Sequence, residues 1–455
     1  MFERGRGRVR DSVWNLAKSF ATGNLLNFGR HTISGGLVTL GRHLVDWNSV
    51  YRLFSRNRIK VEDLFQVNLD EVNSLLKGDE PFRVLMDDTL LKKSGRKMPG
   101  ATIHRDPLGP KYRPNFVLSQ RFVQASAVLE ENCGTVRAIP IGFYHTPSPK
   151  KPQKKASPEE LAEYKSKQQS MRLPQKASEY IQSLRKRINP KRLLEMIVDG
   201  GYTNMTVLRT IPCNTAVIGR IRKDAKLFGI PIQNTKTSSG RKRFYGEPMP
   251  TPEETRLDNS IPWTEVSAFV SGKTRTFDIK AVKNLRSKMA GERNLTLVIV
   301  RPIGYRLSQK SKILYRDPAY LICTDETFSG EKILKDFLGR WQIEINFREE
   351  KTTLGIDEPQ VRNENSVENV PGFMVATYGM LLLAGHKTQT SLNHKPALPK
   401  WRNKEDTIRF SGAQYVSLVR GEIMNKSGFT TDDKSDVNPL LFQVKMENAS
   451  QFAAR

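Results

Sequence analysis

A spaced set of charged residues near position 340 could carry phosphodiester chemistry. Phe337, Arg340, Glu344 and Lys351 recur at helical spacing. At about 100° per residue, their side chains fall within about 60° of one another on a helix, where a core stripe would be apolar. The carboxylate could hold a metal ion, and the cations could hold a phosphate. The alternative is an exposed Arg340–Glu344 pair on an ordinary surface helix.

Aspartates follow two apolar runs that have the composition of buried strands. The run from residue 82 ends in Asp87 and Asp88, and the run from residue 194 ends in Asp199. A single aspartate in such a place is more often a turn residue. Two strand ends and the Glu344 helix can nevertheless converge at one edge of a sheet and hold two divalent ions about 3.5–4 Å apart. Because neighbouring residues point to opposite faces of a strand, only one of Asp87 and Asp88 can be a ligand.

The composition favours a polyanionic partner and a carboxylate metal site. The formal net charge is +27, from 74 lysines and arginines against 47 acids, which indicates nucleic acid. Anionic membrane is the rival partner, but the sequence has no uninterrupted apolar run of spanning length and no signal-peptide pattern. The three cysteines and six histidines are scattered without zinc spacing, so carboxylates would hold the metal, which favours Mg²⁺ or Mn²⁺.

Changes in residue composition predict five regions along the chain. The first is a helical, arginine-rich module that either recognises DNA ends or caps the main domain. The predicted bounds are 1–78 for this helical module, 79–234 for a first α/β part with a solvated excursion at 146–176, 235–325 for a β-rich insertion, 326–386 for a second α/β part, and 387–455 for a basic C-terminal region. A helix over about 330–355 would position the spaced residues near 340.

With these motifs in order, the chain resembles the DDE transposases of prokaryotic insertion sequences, in the branch with the Y-R-E-K signature. That signature is matched by Phe337-x2-Arg340-x3-Glu344-x6-Lys351, with phenylalanine in place of tyrosine. The family also has a strand followed by Asp-x-Thr and a strand followed by Asp-x-x-Tyr. These are matched by Asp87-Asp88-Thr89 and by Asp199-Gly200-Gly201-Tyr202. The resemblance extends over about residues 80 to 385.

The resemblance implies an RNase H-like α/β fold, in which helices flank a mixed sheet that a β-rich insertion domain interrupts. It implies that Asp87, Asp199 and Glu344 are the catalytic residues and bind two Mg²⁺ or Mn²⁺ ions. The Asp-x-Thr register favours Asp87 over Asp88. Hydrolysis at the end of a mobile element would free a 3′-OH, which would then attack a second strand or target DNA at the same site.

Several further residues are expected to contact DNA. The residues assigned to DNA or phosphate binding are Arg340, Lys351, Phe337 and Tyr202. The additional candidates are Asp88, Thr89, Arg348 and Trp263. Arg348 lies off the helical stripe, as a solvent or backbone contact would. Trp263 either holds a flipped base, as an aromatic residue does in some relatives, or is a core residue.

The expected partner is double-stranded DNA, both as the terminal inverted repeats of the element and as the target. A homodimer is expected in the synaptic complex, with no membrane, in the cytoplasm of a prokaryote and associated with the nucleoid. Two alternatives stay open. One is an RNase H-like structure-specific nuclease that does not transpose. The basic module and the large insertion argue against it. The other is a domesticated, inactive DNA-binding protein, against which the complete set of acids speaks.

Overall fold

The computed structural model describes residues 2–392, apart from 8, 45, 108, 111, 132–134, 150, 154, 232–242, 271–272 and 309, together with residues 409–426. The strands are β1 (Phe82–Lys92), β2 (Thr102–Arg105), β3 (Phe116–Glu130), β4 (Val136–His145), β5 (Leu194–Val198), β6 (Thr215–Arg220), β7 (Leu227–Gly229), β8 (Pro248–Met249), β9 (Thr264–Val270), β10 (Lys273–Arg286), β11 (Asn294–Val300), β12 (Gly304–Tyr305), β13 (Leu314–Tyr315) and β14 (Ala319–Cys323). The helices are α1 (Asp11–Leu26), α2 (Ile33–Thr39), α3 (Asn48–Ser55), α4 (Val61–Leu75), α5 (Pro158–Ser170), α6 (Leu173–Arg187), α7 (Met205–Leu208), α8 (Pro252–Leu257), α9 (Gly330–Gly339), α10 (Trp341–Thr352), α11 (Glu364–Leu392) and α12 (Gly412–Lys426).

A large mixed sheet forms the centre of the fold. It has 12 strands in the order β2-β3-β1-β5-β6-β14-β11-β10-β7-β8, with β4 paired to β3 and β9 paired to β10. Strands β1, β5 and β6 run parallel, and the other pairs are antiparallel. All five residues of β5 are buried, as expected for a parallel strand that is covered on both faces. The predicted α/β architecture, a mixed sheet flanked by helices, is therefore confirmed.

The β-rich segment predicted at 235–325 contributes its strands to this same sheet. Strand β14 pairs with β6 through Leu321 and Arg220, and β11 and β10 follow it. Part of the segment, 235–242, lies outside the described residues. Within the described residues, only β12 and β13 form a separate two-stranded ribbon. The segment thus extends the central sheet at one side, a pairing between strands about 100 residues apart that local sequence patterns do not encode.

The N-terminal helices pack against the long helix α11. The rings of Phe20 and Phe54 each lie 5.5 Å from the ring of Phe373, and the buried Trp14 belongs to the same core. From α12, Arg420 donates hydrogen bonds to the carbonyl of Leu25 at 2.7 Å and to that of Asn27 at 2.8 Å. The predicted helical module is thus a cap on the main body, one of the two interpretations left open, and its part in DNA recognition stays a prediction.

Helix α11 is long and apolar enough to cross a membrane by length and composition alone. In the window Glu364–Thr388, 78% of the most apolar stretch is buried inside the protein. Its side chains Phe373, Tyr378 and Leu383 have no exposed surface. This burial is typical of a core helix, because the same apolar length is needed to fill the space between the sheet and the N-terminal cap.

Two sequence-based element bounds were wrong. The helix expected over 330–355 is interrupted at Arg340, where two backbone bonds of the i to i+3 type tighten the chain: Arg340 N–H to Phe337 O and Ile343 N–H to Arg340 O, both 3.1 Å. Gly339 at this point is a poor helix former. Strand β1 does not end at its acids but continues to Lys92, because its antiparallel partner β3 accompanies it to the pair Lys92 and Ser119.

Candidate active site

The parallel pairing of β1 with β5 brings two aspartates together. The last pair is Met86 with Val198, so Asp87 and Asp199 come next on the two strands. Leu85 and Ile197, which come two residues before Asp87 and Asp199, face the core beneath α9 and α10. Because every second residue faces the same way, Asp87 and Asp199 face the side of the sheet that those helices cover.

Arg340 joins Asp87 to Glu344. Its Nη1 lies 2.7 Å from Asp87 Oδ2, and its Nη2 lies 2.7 Å from Glu344 Oε1. Its guanidinium carbon is 5.8 Å from the ring centre of Phe337, a cation–π contact. The arginine side chain is 14% exposed, against 33% for that of Glu344. The expected i,i+4 pair is therefore present, but it faces a partly buried aspartate rather than open solvent.

Lys351 lies on the same side of the sheet, at the C-terminal end of α10. Its ammonium group donates a hydrogen bond of 2.7 Å to Thr89 Oγ1. Thr89 is two residues beyond Asp87 on β1 and therefore on the same face. Burial lowers the pKa of Lys351, and the neighbouring acids Asp357 and Glu350 oppose that shift. Arg340 and Lys351 thus contact the strand that carries Asp87, and Glu344 is joined to it through Arg340.

The environment of Asp87 favours a cation. Burial raises the pKa of this carboxyl to about 6, against the lowering effect of Arg340 and of the hydrogen bond from the backbone of Asp88, while the charges of Asp88 and Asp199 raise it further. The backbone N–H of Asp88 donates to Asp87 Oδ1 at 2.9 Å. The negative charges of Asp88 and Asp199 therefore repel that of Asp87, and a bound cation relieves the repulsion.

Asp88 occupies the opposite face of β1. The phenol of Tyr202 donates to Asp88 Oδ1 at 3.2 Å, and Arg121 Nε lies 3.6 Å from Asp88 Oδ2. Burial raises the pKa of Asp88, and these two partners oppose the shift. Tyr202 itself is only 2% exposed, so its ring is packed and its hydroxyl is directed to a carboxylate. Asp87 is thus joined to Glu344 through Arg340 and Asp88 is not, and the choice of Asp87 over Asp88 as a metal ligand stays a prediction.

Two candidate DNA contacts lie away from this cluster. Arg348 is exposed and borders a separate cleft of about 1060 Å³ on another side of α10, which also contains Lys332 and Arg409. Trp263 is half-buried before β9, where Lys280 Nζ lies 4.6 Å and the Arg301 guanidinium carbon 5.7 Å from its ring centre. Trp263 thus has cationic partners of its own, as a packed residue would.

The residues present fit a divalent ion by chemistry, but Arg340 takes part of the site. Carboxylate oxygens are the ligands that Mg²⁺ and Mn²⁺ prefer, and Asp87, Asp199 and Glu344 supply them. Across the described ranges, however, no three His, Cys, Asp or Glu side chains stand close enough together to hold a metal ion. The guanidinium of Arg340 contacts the oxygens of Asp87 and Glu344 that an ion would need. A metal ion and Arg340 would compete for them.

Two residues that support the site carry no sequence motif. Lys93 Nζ donates 2.9 Å hydrogen bonds to the carbonyls of Asp357 and Pro359 and so ties the end of β1 to the segment after α10. Burial lowers the pKa of Lys93 to about 8, opposed by the charge of Asp357. Glu350 is fully buried and accepts a 2.9 Å hydrogen bond from Gln124 on β3. Burial raises the pKa of Glu350 to about 8.

Comparison with known families agrees with the motifs in the first part of the chain. A family model described as DDE superfamily endonuclease matches residues 10–284, which is more than half of the sequence. The match includes Asp87 and Asp199 and ends before Glu344, so the Y-R-E-K branch stays a prediction. No curated protein matches the chain.

Proposed function

Because this chain belongs to the DDE superfamily of endonucleases, we propose that it is the DNA transposase of a prokaryotic insertion sequence. It binds the ends of the element and hydrolyses a phosphodiester there, and the freed 3′-OH then attacks a phosphodiester of target DNA and displaces the 3′-oxygen of the target strand. One observation carries the proposal. The β1–β5 register sets Asp87 beside Asp199, and Arg340 holds Asp87 and Glu344 through 2.7 Å contacts.

Asp87, Asp199 and Glu344 would hold two Mg²⁺ or Mn²⁺ ions. When bound, such a pair of ions activates the attacking hydroxyl and stabilises the leaving oxygen. The residues around it orient the DNA. Arg340 must release at least one carboxylate when metal binds, and its fork of donors then matches a phosphate. Lys351, held near Asp87 by its bond to Thr89, supplies a second cation to the scissile phosphate.

The charge of the chain supports DNA as the partner. The excess of 27 positive charges is suited to a long phosphate backbone, and many arginines of the N-terminal cap are exposed, including Arg10, Arg52, Arg56 and Arg58. We propose that this cap recognises the terminal repeats and that two copies of the chain hold the two ends in a synaptic complex.

Cleavage of the element ends in the presence and absence of divalent metal tests the proposal. We expect Mg²⁺ or Mn²⁺ to be required, and Asp87→Asn, Asp199→Asn and Glu344→Gln to lose cleavage by at least tenfold while binding DNA. Asp88→Asn is the matched control, since an amide oxygen can still accept the bond from Tyr202, and its effect should be smaller. Full cleavage in EDTA, or in any one of the three variants, would contradict the assignment.

A strand-transfer assay separates transposition from simple cleavage. Pre-cut element ends with a free 3′-OH are supplied with supercoiled target DNA, and joined products are counted. Joining that requires the same three acids supports the transposase. Cleavage without joining would indicate the structure-specific nuclease. Absence of both cleavage and joining would indicate an inactive DNA-binding protein.

A further inference from the structure

The far end of the β2–β3 pair is an exposed apolar and basic surface on the active-site face of the sheet. Ile103 is 70% exposed and Phe116 is 64% exposed, although both lie on strands. Arg105 is exposed as well, and Tyr112, in the turn between the two strands, is 99% exposed. We call Ile103, Arg105, Tyr112 and Phe116 the β2–β3 ledge. Exposed aromatic residues on a sheet point to a ligand with a flat apolar face.

The register shows that this ledge continues the active-site face of the sheet. On β3, Gln124 is paired with Asp87 and Phe122 with Thr89. Directly paired residues share a face, so the even-numbered residues of β3 face the same way as Asp87. Phe116 belongs to this set and is paired with Arg105. At about 3.4 Å per residue, Phe116 lies roughly 27 Å along β3 from Gln124, the partner of Asp87, or roughly eight nucleotide steps of B-form DNA.

The charge around the ledge points to a polyanion. Residues 92–116 contain a single acid, Asp106, and their described part has five exposed cations, Lys92, Arg96, Lys97, Arg105 and Arg113. Asp106 is only 8% exposed, and one of its oxygens lies 3.5 Å from Lys92 Nζ. The surface therefore presents cations beside aromatic rings, the combination with which proteins bind single-stranded nucleic acid. A second copy of this strongly basic chain would bring like charges together.

We propose that the β2–β3 ledge binds unpaired nucleotides of the DNA strand that is cut at Asp87, with the ring of Phe116 stacked on a base and Arg105 against a phosphate. This inference rests on the proposed function. Only an unpaired base offers its whole flat face to a side chain, because the bases of a duplex are stacked on one another. The ledge would hold the strand open about eight nucleotides from the scissile position.

Binding of labelled DNA to the full-length protein in EDTA tests this inference, since no cleavage can occur. The probes are an element-end duplex with blunt ends and the same duplex with a single-stranded tail of about eight nucleotides. The wild-type protein should bind the tailed probe more tightly. Phe116→Ala should reduce affinity for the tailed probe by about fivefold to a hundredfold and leave the blunt probe unchanged, whereas Phe116→Trp should keep the preference.

The matched control is Tyr315→Ala, an aromatic residue that is 69% exposed on the basic β12–β13 ribbon, which should leave the tail preference intact. Tyr112→Ala supplies a second ledge variant at a fully exposed turn, so the result does not depend on the folding of one protein. Equal binding of both probes by the wild type, or equal losses for both probes in the ledge variants, would overturn the inference. So would a change of oligomeric state in Phe116→Ala. None of these outcomes depends on cleavage, which is tested separately.

Discussion

Arg340 is a cation placed where the proposed chemistry needs a metal ion. It contacts Asp87 and Glu344 at 2.7 Å each, and without it these carboxylates would repel one another in a partly buried site. In the protein without DNA or metal, Arg340 thus keeps Asp87 and Glu344 paired with a cation. When DNA and metal bind, the same guanidinium can turn to a phosphate, because arginine binds carboxylates and phosphates with one geometry.

Removing either cation of the helical stripe should slow cleavage more than it weakens DNA binding. We expect Arg340→Ala and Lys351→Ala to reduce single-turnover cleavage at saturating protein by roughly a hundredfold, because a misplaced phosphate loses its alignment for attack. Overall affinity should change little, since 74 lysines and arginines share the binding. Arg348→Ala, on an exposed face of the same helix, is the control. Wild-type rates in the first two variants would mean that the stripe is structural.

Metal affinity should depend on pH through Asp87. Its pKa is raised to about 6, so the carboxylate is ionised above that pH and becomes protonated as the pH falls through it. Mn²⁺ binding to the DNA-free protein should therefore be strongest above about pH 6 and decline below, as measured by electron paramagnetic resonance. Arg340 lowers this pKa, so Arg340→Ala should move the midpoint to higher pH. The same midpoint in both proteins would exclude Asp87 as the titrating ligand.

At the scale of elements, α10 is held to the sheet at several points. Lys351 bonds Thr89 on β1, and Glu350 accepts from Gln124 on β3. Lys93, just after β1, reaches two carbonyls of the segment that follows α10. These ties set the distance between the strand that carries Asp87 and the helix that carries Glu344. Sites of this kind need such support, since small displacements of reacting groups slow the reaction strongly.

Loss of the Lys93 tie should weaken both the fold and the site. Lys93→Met removes two hydrogen bonds from an ammonium group and leaves two carbonyls without that donor, which should lower the free energy of unfolding by about 1–3 kcal/mol. Lys97→Met is the matched control, because Lys97 lies in the same segment and is exposed. Urea unfolding of the two variants measures the difference. If the two variants have the same free energy of unfolding, the Lys93 hydrogen bonds stabilise the fold no more than the hydrogen bonds with water that replace them.

The sequence predicts the parts of the site that follow from local patterns. The apolar runs before Asp87 and Asp199 indicate buried neighbouring strands, and the spacing from Phe337 to Lys351 indicates one helical face. The break of that helix at Arg340 was not predictable, because the break depends on how α9 and α10 pack on the folded sheet. The contact of Tyr202 with Asp88 was missed for a similar reason: a short motif gives the residue but not the face to which its side chain turns.

On the scale of the whole molecule, the positive charge should make DNA binding strongly dependent on salt. Each neutralised phosphate adds about −0.9 to the slope of log K against log salt for duplex DNA. Because the N-terminal helices share a core with α11, deleting them would expose apolar surface. Substitution of exposed arginines by glutamine is the cleaner test. The residues to change are Arg52, Arg56 and Arg58.

These substitutions should make the slope less steep and reduce the preference for element ends over random DNA. The physical reason is the loss of up to three phosphate contacts, each measurable in the salt dependence of the equilibrium constant. The control removes the same charge from the solvated excursion, by changing Lys151, Lys155 and Lys165 to glutamine. If both triple variants lose end preference equally, recognition of the ends does not belong to the N-terminal cap.

The hydrogen bond from Arg420 to Leu25 joins residues 395 positions apart, and this has a consequence for synthesis. At about 5–20 residues per second, the ribosome needs roughly 20–80 s to make the partner that the first helices require. During most of that interval the apolar faces of α1, α3 and α4 have no α11 to cover them. The nascent chain is therefore most open to aggregation or chaperone capture before α11 emerges, and a slower rate of translation lengthens that exposure.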